Sequence, residues 1–145
     1  MLEHYAMRGL KILNLILFDT YGERDSRSKF LNILLEACAT GKHVSTTAGE
    51  QEIDLVHIDD VCAGVEAGIK ELDKWDANNG VMKRGLGSGK PIKIKELMVR
   101  VALQIGKPLF AKIGERDYRA REVMKAYRGY VRPAGWMPTK SDYHK

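Results

Sequence analysis

Blocks of apolar and polar residues along this chain predict strands and helices in turn. The run Leu10–Phe18, LKILNLILF, is apolar except at two positions and ends in Asp-Thr-Tyr-Gly. A short apolar run of this kind is typical of a strand buried on both faces of a parallel sheet. A helix is expected to close over His4–Arg8 just before it, with Gly9 at its C-terminal end.

Three later segments place apolar residues at helical spacing. They are residues 30–38 stopped by Gly41, residues 61–72 with Asp59 or Asp60 as the expected cap, and residues 94–105 ended by Gly106. The second of these segments presents Val61, Val65, Ile69 and Leu72 at intervals of about four residues.

Shorter elements fill the gaps between these segments. Strands are predicted at 43–47, 55–58 and 81–86, turns at 48–50 and 78–80, a short helix at 121–127 and a loop at 133–138. Strands that alternate with helices indicate an α/β domain, and we expect residues 1–145 to form a single one.

Composition narrows the function classes. The chain has 145 residues, is 44% hydrophobic and 30% charged, and carries a net charge of +5 with a pI near 9.2. Its basic residues are scattered among acids without alternating aromatics, so we expect no nucleic-acid partner. Two cysteines, no secretion signal and no apolar span predict a reduced, cytoplasmic protein without a membrane segment.

The segment 51–61, QEIDLVHIDDV, gathers four acids and a histidine. On a strand, Asp54 and His57 point to opposite faces, and adjacent Asp59 and Asp60 do not face one another. A helical metal site needs His or carboxylate pairs three or four residues apart, and the part of this segment that is predicted to be helical holds none. We therefore predict no metal site here and interpret the acids as a helix cap and a loop anchor.

The segment 85–91, GLGSGKP, suggests a phosphate-binding loop. A Walker loop requires Ser or Thr after the lysine, where Pro91 stands, and the dinucleotide fingerprint G-x-G-x-x-G has a different glycine spacing. A tight strand-to-helix turn is therefore the prediction.

Two residues remain as ligand candidates from chemistry alone. Tyr21 follows the first apolar run, at the sheet end where open α/β sheets bind ligands, although it could equally plug that end. Arg119 could donate two parallel hydrogen bonds to a diphosphate, with Glu122 one turn along to hold it. The alternative interpretation of the segment around Arg119 and Glu122 is a run of solvated charged residues.

The order of several motifs resembles one family. The segments LFDTYGERD, GEQEIDLVHIDDV, GLGSGKPIKIKEL, YRAREVM and GWMP stand at 17–25, 49–61, 85–97, 118–124 and 135–138. In this order they are similar to motifs of the extended short-chain dehydrogenases, the NAD-dependent nucleotide-sugar epimerase/dehydratase family. The G-E-Q form and the Y-R-x-x-E-V-M element resemble the branch that includes CDP-abequose synthase and related deoxysugar reductases.

The resemblance implies a fold, a ligand and a set of site residues. It covers only the C-terminal part of the Rossmann-like family fold, a small mixed α/β subdomain that binds a nucleotide-diphosphate sugar. The residues it implies for substrate binding are Tyr21, Lys29, Val44, Thr46 and Arg119. The glycine fingerprint and the catalytic Tyr-x-x-x-Lys pair are expected upstream of residue 1. NAD or NADP would serve the parent enzyme, with no tight cofactor binding by this chain.

Three positions depart from the family pattern. Glu23 replaces a proline, Gly85 replaces an asparagine, and Ile53 stands where the family commonly has an arginine that contacts the ligand's phosphates. Two functions follow. The chain is either the substrate-binding portion of such an enzyme, inactive alone, or a non-catalytic binding or oligomerisation scaffold. Besides the nucleotide sugar, the expected partner of the chain is a second copy of itself or a complementing N-terminal half.

Overall fold

The computed structural model describes residues 2–76, 78 and 80–143. The predicted turn at 78–80 includes residue 79, which lies outside the described residues. In chain order the elements are α1 (Leu2–Ala6), β1 (Leu13–Leu17), β2 (Asp19–Tyr21), α2 (Phe30–Thr40), β3 (Val44–Thr46), β4 (Glu52–Ile53), β5 (Leu55–His57), α3 (Ile58–Asp73), β6 (Met82–Leu86), β7 (Ile92–Lys93), α4 (Ile94–Ile105) and β8 (Ala111–Ile113).

The chain divides into two compact units, each built from three separate segments. Unit 1 comprises Met1–Thr20, Leu55–Gly89 and Tyr127–Lys140, and unit 2 comprises Tyr21–Asp54, Lys90–Ala126 and Ser141–Lys145. The prediction of one domain over residues 1–145 stays a prediction.

Unit 1 is a helix packed on a parallel strand pair. β1 and β6 run parallel, in a register from Leu13 opposite Met82 to Leu17 opposite Leu86. α3 contacts both strands, and β2, whose first two residues belong to this unit, pairs with β5. The core cluster consists of Val56, Val61, Leu86 and Trp136. This parallel α/β arrangement confirms the predicted fold class.

β1 is less buried than its sequence predicts. Its residues are half-buried along the strand, and Leu17 is 57% exposed. Among the described residues, β1 is hydrogen-bonded along one edge only, to β6. The prediction of a strand buried on both faces is therefore wrong for this structure, in which α3 and β6 contact β1 but leave its residues partly exposed.

Unit 2 combines two packed helices with two strand pairs. α2 and α4 contact each other, β3 pairs in parallel with β8, and β4 pairs antiparallel with β7. Both helices end where a glycine adopts a left-handed backbone, Gly41 at φ 74° and Gly106 at φ 68°. Only glycine takes such a φ at little cost, so these two stops were readable from the sequence and are confirmed.

Two local predictions are wrong. α3 begins at Ile58, and its cap is His57, whose Nδ1 accepts a hydrogen bond from the Asp59 N–H at 3.2 Å, so neither aspartate caps it. Residues 121–127 form no helix, because their backbone is bonded to β4 instead. The buried stripe of α3 is Asp60, Val61, Gly64 and Gly68, while Ile69 is 50% exposed.

Candidate functional site

Within the 51–61 segment, Asp60 makes structural hydrogen bonds. The Asp60 side chain is buried, and its carboxylate accepts hydrogen bonds from the Thr139 and Lys140 N–H groups and from the Thr139 hydroxyl at 2.9–3.1 Å. The Asp60 carbonyl accepts a fourth from the Trp136 indole. Asp60 thus holds residues 136–140 on the start of α3. No group of three or more His, Cys, Asp or Glu within the described residues could hold a metal ion.

The predicted substrate residues all fall in unit 2. Val44 and Thr46 flank Ser45 on this strand, and both are nearly fully buried. Lys29 is the cap residue of α2, which contacts β3. The Tyr21 ring packs edge-on against the Tyr143 ring with centroids 5.3 Å apart, and Tyr21 is only 4% exposed.

An irregular segment, residues 114–126, is bonded along β3 and β4. The Thr46 carbonyl accepts hydrogen bonds from the Gly114 and Arg116 N–H groups, both at 3.1 Å. Because β8 ends at Ile113 beside Thr46, the segment turns over the carboxyl end of β3. Thr46 therefore acts through its backbone, and its hydroxyl donates locally to the Thr47 carbonyl.

The same segment is held at two further points. The Tyr118 hydroxyl accepts the Glu50 N–H at 3.0 Å. Glu52 donates its N–H to the Met124 carbonyl at 3.0 Å and accepts the Ala126 N–H on its carboxylate at 3.2 Å. A segment without a helix or strand is thereby fixed in place, because its backbone groups are satisfied by the neighbouring strand.

Arg119 lies between these anchors, on a turn. The Glu122 N–H donates to the Arg119 carbonyl at 3.0 Å, and the Arg119 N–H donates to the Glu122 carboxylate at 3.4 Å. Arg119 is exposed, and no described residue accepts a hydrogen bond from its guanidinium. Glu122 thus shapes the turn through the backbone, which differs from the predicted carboxylate–guanidinium pairing.

Nearby acids are already engaged by lysines. Hydrogen bonds from Lys93 and Lys95 lower the pKa of Glu50 to about 2. A hydrogen bond from the Ser45 hydroxyl, followed by one from Lys112, holds the pKa of Glu115 below its usual value. These carboxylates are therefore ionised and paired near neutral pH, which leaves Arg116 and Arg119 as basic groups without hydrogen-bonding acids among the described residues.

The comparisons with known proteins decide the family. The profile of the NAD dependent epimerase/dehydratase family matches residues 1–80, more than half of the 145. The chain belongs to this family.

Curated relatives and solved structures of the family agree. CDP-abequose synthase from Salmonella muenchen is 28% identical over 126 residues, covering 86% of this chain and 42% of that protein. Its counterpart from Yersinia pseudotuberculosis is 31% identical over 65 residues, covering 45% of this chain and 23% of that protein. The chain thus spans less than half the length of the curated relatives it matches.

Two solved structures show the same fold. MoeE5, solved in complex with UDP-glucuronic acid and NAD, superposes with a TM-score of 0.77 at 22% identity, over 95% of this chain and 46% of that one. The UDP-glucose 4-epimerase of Stenotrophomonas maltophila, solved with NAD and formylated UDP-arabinopyranose, gives a TM-score of 0.78 at 16% identity, over 95% and 46%. The Rossmann-like α/β fold predicted for the chain is confirmed.

Two departures from the family pattern have local explanations. Ile53 lies opposite Ile92 in the β4–β7 pair, so an apolar cross-strand pair stands where the arginine would be. At Gly85, a Cβ would lie 2.3 Å from Cδ2 of Tyr130, whose ring also stacks near Phe18 with centroids 4.9 Å apart. The Tyr130 ring thus fills the space of the missing side chain.

The glycine-rich loop after β6 is filled by protein groups. Arg132 donates from Nε to the Gly87 carbonyl at 3.2 Å and from Nη2 to the Ser88 carbonyl at 2.6 Å. A Cβ at Gly89 would lie 2.3 Å from Nη2 of the same arginine. The loop leads into the short strand β7 and then α4, so it is a turn held by Arg132, though it does not open directly into a helix.

The described helices include none that is long and apolar enough to cross a membrane.

Proposed function

We propose that this chain forms the substrate-binding portion of an NAD(P)-dependent nucleotide-sugar epimerase, dehydratase or reductase. The observation that carries the proposal is the attachment of segment 114–126 to Thr46, Glu50 and Glu52, which fixes the exposed Arg119 on the same unit as β3. A guanidinium in that position can hold a diphosphate through two charge-assisted hydrogen bonds. Tyr21, Lys29, Val44 and Thr46 are the other proposed ligand-contacting or ligand-positioning residues.

Relatives support a sugar nucleotide of the CDP or UDP type. The curated relatives are CDP-abequose synthases, and the solved structures hold UDP-sugars together with NAD. We infer NAD or NADP for the parent enzyme. The 145 residues contain neither G-x-G-x-x-G nor Tyr-x-x-x-Lys. Since hydride transfer in this family requires both, we propose that the chain alone is inactive and binds no cofactor tightly.

Calorimetric titration with CDP and UDP tests the proposal. The unmodified protein should bind one of them, and Arg119→Ala should weaken that binding by about tenfold, the lower range for a charge-assisted hydrogen bond. Arg121→Ala is the matched control, because Arg121 is exposed two residues away on the same turn. Absence of binding by a well-folded unmodified protein would contradict the proposal.

A second candidate function is a non-catalytic binding or oligomerisation scaffold. The observation favouring it is β1, a half-buried apolar strand that is paired with β6 on one edge within the described part of the chain. Parallel strands of α/β proteins are normally covered on both faces, so this strand can take up a second copy or a complementing N-terminal half. A cytoplasmic location, inferred from the free Cys38 and Cys62, belongs to both candidates.

A further inference from the structure

This chain lacks one of the two basic side chains that the family resemblance predicts to contact the ligand's diphosphate. The family resemblance assigns a phosphate-contacting arginine to the position of Ile53, and an isoleucine cannot donate a hydrogen bond. Ile53 is also committed to its cross-strand neighbour Ile92, itself buried. A diphosphate bound at Arg119 therefore requires a second basic group from elsewhere in unit 2, if it is to be held at both phosphates.

Arg116 is anchored next to the proposed nucleotide site. Its N–H donates to the Thr46 carbonyl at 3.1 Å, at the carboxyl end of β3. Carboxyl ends of parallel strands are where open α/β sheets bind their ligands, and β3 is parallel to β8. The main chain at position 116 is thus fixed at the strand end, whereas the side chain extends from an exposed residue.

The charge of Arg116 is available to a ligand. Its neighbour Glu115 is engaged by the Ser45 hydroxyl and by Lys112. Arg116 contributes to keeping Glu115 ionised, yet no described residue accepts a hydrogen bond from the Arg116 guanidinium. Arg119 is the third residue after Arg116, so their Cα atoms are at most about 11 Å apart, and two long arginine side chains can reach one diphosphate.

We propose that Arg116 is a second phosphate-contacting residue, which together with Arg119 binds the diphosphate of a nucleotide sugar in place of the arginine absent at Ile53. This inference rests on the proposed substrate-binding function and deepens it. Arg121, at the tip of the 119–122 turn, is the matched basic residue that we expect not to contact the diphosphate.

Binding of CDP, CMP and cytidine to the full chain tests the assignment. Calorimetry should show that Arg116→Gln weakens CDP binding about tenfold, CMP binding less, and cytidine binding not at all, since each loses phosphate charge in turn. Arg116→Lys should recover part of the CDP affinity, because it keeps the charge and loses the paired hydrogen bonds. Arg121→Gln should match the unmodified protein.

The outcomes separate this inference from the function on which it rests. If the unmodified chain binds none of the three probes, both fail. If it binds CDP and Arg119→Gln weakens binding while Arg116→Gln does not, only the role of Arg116 is overturned. An equal loss of cytidine and CDP affinity in Arg116→Gln would show a structural role at Thr46 and would also overturn the assignment.

Discussion

Two adjacent aspartates at the start of α3 show how position decides the role of the same side chain. Asp59 is exposed and pairs with Lys140 at the surface, and Lys140 holds its pKa below the usual value. Asp60 is 6% exposed, and its carboxylate accepts three hydrogen bonds from Thr139 and Lys140. The sequence could not distinguish them, because their partners lie about eighty residues away along the chain.

We expect Asp60→Ala to destabilise the protein by about 1–3 kcal/mol, since the partly buried hydrogen bonds from the N–H groups of residues 139 and 140 would lose their charged acceptor. Thermal unfolding followed by circular dichroism measures the shift. Asp59→Ala is the control and should lower the melting temperature far less, because its partner is a solvent-exposed lysine. Equal shifts for both variants would contradict a specific anchoring role of Asp60.

At the scale of elements, helices were predicted well and short strands poorly. α2 and α4 have apolar periodicity and a terminal glycine, both local signals. β4, β7 and β8 are two or three residues long and were not predicted, because they exist through distant partners. The helix predicted at 121–127 fails for the same reason, since the residues at 124 and 126 bond to Glu52.

Two glycines bring α3 close to the strands of unit 1. A Cβ at Gly64 would lie 2.7 Å from Leu86 and 2.9 Å from Trp136, both buried. A Cβ at Gly68 would meet Leu13, 2.9 Å away, and this half-buried side chain can move at its methyl end. Close packing on glycine, which no hydrophobic pattern signals, therefore sets which side of α3 faces the strands.

Substitution of these glycines by alanine should give opposite results. Alanine favours a helix by about 1 kcal/mol over glycine, so Gly68→Ala should leave stability unchanged or slightly higher. Gly64→Ala should destabilise, because overpacking between fixed core groups costs about 1–3 kcal/mol and exceeds that gain. Urea unfolding of the two variants gives the comparison. A Gly64→Ala variant as stable as Gly68→Ala would show that Leu86 and Trp136 yield readily.

For the whole molecule, the order of motifs identified the family, whereas the site needed the structure. In the structure, segment 49–61 contains β4, β5 and the start of α3, and segment 85–97 contains the turn that Arg132 holds, followed by β7 and the start of α4. Arg116 was not singled out from the sequence, because one arginine among many basic residues gives no signal until its backbone bond to Thr46 is known. Arg116 was therefore placed at the proposed site by its long-range backbone contact and not by its residue type.

The apolar strand β1 makes a prediction about assembly. The Met82 N–H donates to the Ile12 carbonyl, so by strand alternation Leu13, Leu15 and Leu17 direct their backbone groups away from β6. Leu17 is also 57% exposed.

We expect the protein to self-associate through this edge of β1. Sedimentation velocity over a concentration series should show that the Leu17→Lys variant is less associated than the unmodified protein, because a charge on the edge opposes strand pairing. Leu103→Lys, at a 77% exposed residue of α4, is the matched control and should leave association unchanged. Equal effects of both lysines, or a monomeric unmodified protein, would contradict pairing at β1.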